Sequence, residues 1–403
     1  MLKLLLIAPT CDGQDVGEAW VAYQWVRRLA SRHEVTVLTY YQRGHTPLSC
    51  QLPDVRAIEW AEPSGLGRAA RLNSMLKPGY VPFYFRARRW IRAALARGER
   101  FDLAHQPVPV AARYPSPAAG LGIPFVMGPV GGSLQSPPGF RAEEGTTAWY
   151  VQLRGLDRVR LRRDPWLRRT YLQAGCVIGI APYVGELLAE TAVRSFEVLS
   201  ETGIDHLPES VDRAGRRGEV RLLFVGRLVR TKGARDAVRA LGLLRDLPVC
   251  LDIVGDGFDR AACEALAGEL GLSDRVRFHG WLPRPLIDEF YQSADVFVFP
   301  SYREPGGNVT FEAMGHGLPV IVSDIGGPGA VVDQTCGIRV HPVSPEQYSR
   351  DLAAAVTRLV RDPDLRRSLG EAARRRVGEV GLWDSKARQL EAIYAKVLAG
   401  RQA

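Results

Sequence analysis

The chain has 403 residues, a length that suits two or three domains and excludes a single small module. With 46% hydrophobic and 24% charged residues, it has the balance of an ordinary soluble globular protein, which excludes disordered, collagen-like and coiled-coil chains. The formal net charge of +9 sits in one half: residues 1–200 hold 25 basic against 16 acidic side chains, and residues 201–403 hold 28 of each.

The apolar opening MLKLLLIAP is too short for a membrane span and has no small-residue cleavage site behind it. It is expected to be a first buried strand, and the protein to be cytoplasmic. Six cysteines (Cys11, Cys50, Cys176, Cys250, Cys263 and Cys336) lie far apart without metal-ligand spacing, so reduced thiols are expected, with neither a disulfide framework nor a zinc site.

A strand over Lys3–Ala8, a Gly/Asp loop over Cys11–Gly17, a helix over Glu18–Ser31 and a strand over Glu34–Tyr40 give a β-loop-α-β start. Further apolar runs follow at Val55–Trp60, Leu103–His105, Pro124–Met127, Cys176–Ile180 and Phe196–Leu199, with helical stretches between most of them. Two of these stretches, Phe83–Arg100 and Leu153–Tyr171, interleave arginines with Trp90, Trp166, Tyr171 and other aromatics. Such segments suit an anionic membrane surface, and equally suit solvated helices whose Arg stems cover apolar surface.

The second half repeats the alternation, with strands expected at Arg221–Gly226, Cys250–Gly255, Arg275–Gly280, Asp295–Pro300 and Pro319–Asp324. Strand–helix alternation of this kind predicts a parallel sheet covered on both faces. The expected organisation is an N-terminal domain (1–205), a polar linker (206–219), a C-terminal domain (220–380) and a closing helix (381–403). Ligands of open α/β sheets bind outside the carboxyl ends of the strands, so two such domains facing each other would enclose a cleft.

The most informative stretch is VFPSYREPGGNVTFEAMGHGLPVIVSD, Val298–Asp324. A strand ends at Pro300, a Gly-rich loop follows, and a helix begins near Asn308. Free backbone N–H groups there make an anion site that the adjacent Gly306 and Gly307 leave open to a phosphate. Glu304 and Glu312 suit the acceptance of hydrogen bonds from sugar hydroxyls at two parts of one ligand; stabilising the helix start is the plainer alternative. In LLFVGRLVRTKGARDAVRAL, Leu222–Leu241, Arg227 and Lys232 follow a strand end, as a departing diphosphate requires where no metal serves. Asp362-Pro363-Asp364 reads as a helix N-cap with Pro at the first helical position, not as a metal site.

These stretches resemble the retaining glycosyltransferases of family 4, whose GT-B fold is a pair of facing Rossmann-like, doubly wound parallel-sheet domains with the C-terminal helix crossing back to the N-terminal one. REPGGNVTFEAM stands where that family has its E-x7-E motif, and DIVGDG, FHGWLP and SADVFVFPS extend the likeness through the C-terminal half. The resemblance implies that Glu304 holds donor-sugar hydroxyls, Glu312 holds the ribose, and Arg227 with Lys232 binds the diphosphate. It places backbone groups of Gly306, Gly307 and Asn308 on sugar and phosphate, and Trp281 near the nucleobase. In the N-terminal half, Gly17 is the implied phosphate contact of the first loop, although the family's adjacent glycine pair is missing. FDLAHQP resembles the family's D-V-V-H-x-H with Pro107 at the second histidine position. His105 is therefore a catalytic candidate and equally a structural histidine.

The expected activity is sugar transfer from a nucleoside-diphosphate sugar to an acceptor hydroxyl with retention, without metal or other cofactor and without nucleic acid. The expected acceptor is a lipid-linked or cell-surface saccharide at the inner face of the plasma membrane, a soluble acceptor being the alternative. A nucleotide-sugar epimerase of the same architecture is the rival enzyme and a non-catalytic scaffold the third reading. A nicotinamide dehydrogenase is disfavoured because no G-x-G-x-x-G follows the first strand.

Overall fold

The computed structural model describes residues 1–63, 77–144, 156–211, 213 and 218–400. Residues 153–155 of the second Arg-rich stretch, 212 and 214–217 of the expected linker, and 401–403 of the closing helix lie outside the described residues.

Seven strands form the first sheet: β1 (Lys3–Thr10), β2 (Glu34–Tyr41), β3 (Arg56–Ala61), β4 (Leu103–Gln106), β5 (Phe125–Val130), β6 (Cys176–Gly179) and β7 (Phe196–Val198). Six form the second: β8 (Val220–Val225), β9 (Val249–Val254), β10 (Val276–Gly280), β11 (Val296–Phe299), β12 (Val320–Ser323) and β13 (Gly337–Val340). Every pairing between these strands is parallel. The central strands are buried along their length, as expected of a sheet covered on both faces. The orders are β3-β2-β1-β4-β5-β6-β7 and β10-β9-β8-β11-β12-β13, so strand order reverses between β1 and β4 in one sheet and between β8 and β11 in the other. The strand β13 has no counterpart among the expected strands; its four residues include a half-buried Ile338 and an exposed Arg339, too little for a period to show.

The chain packs as two compact units, one of Met1–Ser133, Trp149–Glu201 and Lys386–Ala403, the other of Leu134–Ala148 and Thr202–Ser385. A piece of the first half thus groups with the second sheet, which a continuous N-terminal domain over 1–205 does not foresee. Phe140 explains it: fully buried, it belongs to the apolar core of the second unit, with its ring 4.2 Å from that of Tyr302.

The closing helix, Trp383–Ala399, joins the first unit from Lys386 onward. There Glu391 accepts a hydrogen bond from Arg32 at 2.9 Å, and Val397 packs so closely on Gly175 that a Cβ there would clash at 2.4 Å. Asp362 caps the helix Pro363–Val380 as expected, its carboxylate accepting from the Leu365 N–H at 2.8 Å. Among the described residues no helix is long and apolar enough to cross a membrane.

Candidate functional site

In a doubly wound sheet the crevice opens where strand order reverses. In the second unit that point is flanked by the loops that leave β8 and β11, and these loops carry Arg227, Lys232 and Glu304. They are locked together. Gly233, at φ +80°, approaches so closely that a Cβ would lie 2.2 Å from the Pro300 carbonyl. The Ser301 hydroxyl donates to the Thr231 carbonyl at 3.0 Å. Lys232 and Glu304, 72 positions apart, consequently meet in an ion pair, their side chains only 14% and 12% exposed. Burial draws the Lys232 ammonium down to about 7, and the positive Arg227 and Arg303 add to that. Arg227 itself is exposed.

The backbone around Glu304 is packed as glycine permits: a Cβ on Gly326 would lie 2.2 Å from the Glu304 carbonyl, and one on Gly327 2.2 Å from the Gly306 carbonyl. The Glu304 carboxylate accepts from the Gly306 N–H at 3.3 Å, and its carbonyl accepts from the Gly327 N–H at 2.9 Å. Gly307, at φ +80°, turns the chain into the helix Asn308–Gly315, leaving first-turn N–H groups at the loop. Glu312 lies buried one turn on. Its Oε1 accepts from Arg284 at 2.8 Å and from Asn308 at 2.6 Å, and its Oε2 from the Tyr291 hydroxyl at 3.0 Å. A carboxylate offers about four acceptor positions, and three are used; Arg284, which is 57% exposed, is the partner a ligand would displace most easily.

Trp281 directly follows β10 and is 75% exposed. The loop after the adjacent β9 carries Phe258, 81% exposed, a second bare aromatic at the same end of the sheet that the sequence reading missed. The signal was there: an aromatic directly after the Gly-Asp-Gly that closes a buried strand.

The first unit is chemically quieter at its reversal. Gly17, at φ +66°, precedes the helix Glu18–Ala30 in open surroundings. Glu18 pairs with Lys77 and accepts from the Val110 N–H at 3.4 Å. His105 lies inside β4 with no exposure. Its Nε2 faces the Gly128 carbonyl, so that nitrogen carries the proton, and Nδ1 accepts from the Tyr394 hydroxyl at 2.7 Å. Burial lowers its pKa to about 4, so the ring is neutral at pH 7 with both nitrogens spent. Both ring nitrogens are thereby engaged within the first unit.

The Arg-rich stretches form the helices Tyr80–Ala96, Leu156–Arg163 and Pro165–Gln173. Trp166 stacks on Tyr84 at 5.5 Å and meets Phe85 edge-on at 5.7 Å; Phe85 and Trp166 are 52% and 50% exposed. Arg86, Arg89, Arg163 and Arg168 are exposed on the same helices. Tyr171 does not share this surface: it is fully buried, its hydroxyl donating to the Ala112 carbonyl at 2.6 Å.

A parallel sheet whose strand-order reversal is lined by cations, a carboxylate and a glycine-rich helix start has the arrangement of a ligand crevice in an open α/β sheet. Residues 210–376 match the model of the family described as glycosyl transferases group 1, and residues 16–199 match the glycosyl transferase 4-like domain. The two halves of the chain thus each match a glycosyltransferase domain family, the group 1 match lying in the C-terminal half. It is 36% identical over 185 residues to a D-inositol 3-phosphate glycosyltransferase of Thermomonospora curvata, covering 43% of this chain and 42% of that one. It is 38% identical over 165 residues to the lipopolysaccharide core biosynthesis glycosyltransferase LpsD of Rhizobium meliloti, covering 40% and 46%. The matched part spans less than half the length of these curated relatives. Among solved structures, Anabaena HepE in complex with UDP and glucose aligns over 98% of this chain and 100% of its own, with a TM-score of 0.62 at 16% identity, a likeness of fold.

Proposed function

We propose that the protein transfers a sugar, with retention at the anomeric carbon, from a nucleoside-diphosphate sugar to an acceptor hydroxyl. The observation that carries this reading is the Lys232–Glu304 pair at the strand-order reversal of the second sheet. An ammonium and a carboxylate side by side suit the two halves of such a donor: the cation takes the diphosphate, and the carboxylate, once released, accepts from sugar hydroxyls. Arg227 and Lys232 stabilise the leaving diphosphate as charge develops on it, which is binding of the transition state in preference to the ground state. Glu312 holds the ribose, the backbone of Gly306, Gly307 and Asn308 meets sugar and phosphate, and Trp281 lies against the base. No side chain is assigned as a covalent nucleophile, so the acceptor attacks on the face of the leaving group, whose phosphate takes its proton. No metal is required.

The acceptor in this reading is a lipid-linked or cell-surface saccharide. The exposed Phe85 and Trp166 among arginines support peripheral contact with an anionic bilayer. The relative LpsD acts in lipopolysaccharide core biosynthesis. A soluble acceptor is the second reading, favoured by the relatives named as D-inositol 3-phosphate glycosyltransferases. The test is to incubate purified protein with a panel of nucleoside-diphosphate sugars, starting with UDP-glucose, with and without anionic vesicles carrying saccharide-linked lipid. Release of nucleoside diphosphate that requires acceptor, and an axial or equatorial product matching the donor, is the expected result. Conversion of the donor to its epimer without acceptor would instead identify an epimerase.

A further inference from the structure

Residues 134–144 leave the first half of the chain to pack in the second unit, and what they touch there borders the donor loop. Phe140 sits between Tyr302 and Tyr348, with ring centroids at 4.2 and 5.8 Å, and the guanidinium of Arg230 covers its face at 5.4 Å. Gly139 lies against the backbone of 343–344, where a Cβ would stand 2.3 Å from the Val343 carbonyl. Glu143 holds Arg230 at 2.8 Å and Arg239 at 2.9 Å. These contacts anchor the segment without involving the site.

Two further polar contacts reach the site. Arg303, the residue before Glu304, donates from Nη1 to the Ser136 hydroxyl at 3.1 Å and to the Glu144 carboxylate at 3.2 Å. The match is poor: the Glu144 side chain is 8% exposed, and its other oxygen, Oε1, is buried with no hydrogen-bond partner among the described residues. An unmatched buried carboxylate oxygen carries a desolvation cost. Both contacts use one guanidinium nitrogen, and Arg offers five N–H donors in a fork that suits phosphate oxygens. Arg303 is also near enough to Lys232 for its charge to be felt there.

We propose that Arg303 is a third cation of the donor-diphosphate site, held back in the free protein by Glu144 and Ser136, and that binding of a nucleoside diphosphate exchanges the Glu144 contact for a phosphate one. The proposal rests on the reading of Arg227 and Lys232 as diphosphate ligands. Glu144 is then a positioning residue that opposes donor binding, so removing its charge tightens the complex, whereas loss of a merely structural carboxylate would leave affinity unchanged or weaken it.

The test is a thermodynamic cycle on the full chain, titrating UDP, GDP and ADP, with inorganic pyrophosphate as the base-free probe. Glu144→Gln is expected to bind the preferred nucleotide about three- to ten-fold more tightly, and Arg303→Met about ten-fold more weakly, as for loss of one charge-assisted phosphate contact. In the Arg303→Met background the gain from Glu144→Gln should vanish. Ser136→Ala, which removes the neutral partner only, should give a smaller gain in the same direction, and it serves if Glu144→Gln does not fold. Unchanged or weaker binding in Glu144→Gln or its substitute, or a gain that persists without Arg303, would overturn the proposal. Lys232→Met separates the two levels: if it weakens binding while the cycle shows no coupling, only the role of Arg303 and Glu144 falls. If Lys232→Met binds every probe as the wild type does, the diphosphate reading falls and takes this proposal with it.

Discussion

The two sheets share the core strand order 3-2-1-4-5-6 and both place a reversal at their centre, yet the residues at the two reversals have opposite characters. In the second unit the loops after β8 and β11 bring Arg227, Lys232, Arg303 and Glu304 to one place, and two of these, Lys232 and Glu304, pair directly. In the first unit, β4 carries a histidine that is neutral, buried and fully hydrogen-bonded, and the surplus arginines sit on the helices instead. The topology supplies a crevice in each; the side chains decide which can hold a phosphate. The charged cluster therefore belongs to the second unit, and the surplus arginines to the surface of the first.

The largest test of this contrast sets charge deletions in the second unit against His105. Arg227→Ala, Lys232→Ala and Glu304→Ala should each lower turnover by on the order of 10²-fold or more while the protein remains folded, with the melting temperature least changed in Arg227→Ala, whose side chain is exposed. His105→Ala should do the reverse, losing about 2 kcal/mol of stability through a cavity and two broken buried hydrogen bonds while turnover per folded molecule stays near normal. Steady-state rates and thermal melts on the same samples decide it, and a catalytic collapse in His105→Ala with an intact melt would reverse the assignment.

A sharper probe uses pH. Lys232 holds its proton below about 7, and a diphosphate is held by the charged form. Its affinity should therefore fall as pH rises from 6 to 8.5, even though the nucleotide itself becomes more negative over that range. Residual binding at high pH is left to Arg227 and Arg303. Lys232→Arg should flatten the profile, because a guanidinium keeps its charge; an unchanged slope in that variant would assign the titration elsewhere. EDTA should leave turnover unaltered, and strict dependence on a divalent ion would count against phosphate stabilisation by Arg and Lys alone.

The smallest effects concern the surface of the first unit. Co-sedimentation with anionic vesicles should rise with the fraction of anionic lipid and fall with salt. Arg86→Ala or Arg163→Ala should each cost about five-fold in partitioning, the equivalent of about 1 kcal/mol per basic residue. Phe85→Ser together with Trp166→Ser should weaken binding without altering its salt dependence. Absence of binding at low salt, with efficient transfer to a water-soluble acceptor, would favour the soluble reading.

The strands were legible because both faces of a covered parallel sheet are apolar, so runs such as RLLFVG and DVFVFP stand out from their surroundings. The meeting of Lys232 with Glu304 was legible only as two loops in a common setting; the strand-order reversal turns 72 positions of separation into contact. What escaped depends on packing between distant residues. Phe140 lies in a Pro/Gly-rich stretch with no periodicity, and nothing local marks it as core of the other unit. Tyr171 and Trp166 share one Arg-rich helix but point to opposite environments, one buried with its hydroxyl on the Ala112 carbonyl and one half-exposed, a distinction set by tertiary packing rather than by composition. Glu144 and Arg303, 159 positions apart, carry no spacing that links them.

Hydrogen exchange of the full chain with and without a nucleoside diphosphate tests the central claim most directly, because it reports where the ligand sits without assuming which sugar is transferred. The account predicts slowed exchange in the loops 226–233 and 302–309, with the interior of β4 around His105 unchanged. Slowed exchange confined to the first unit, or none in either loop at saturating nucleotide, would contradict it.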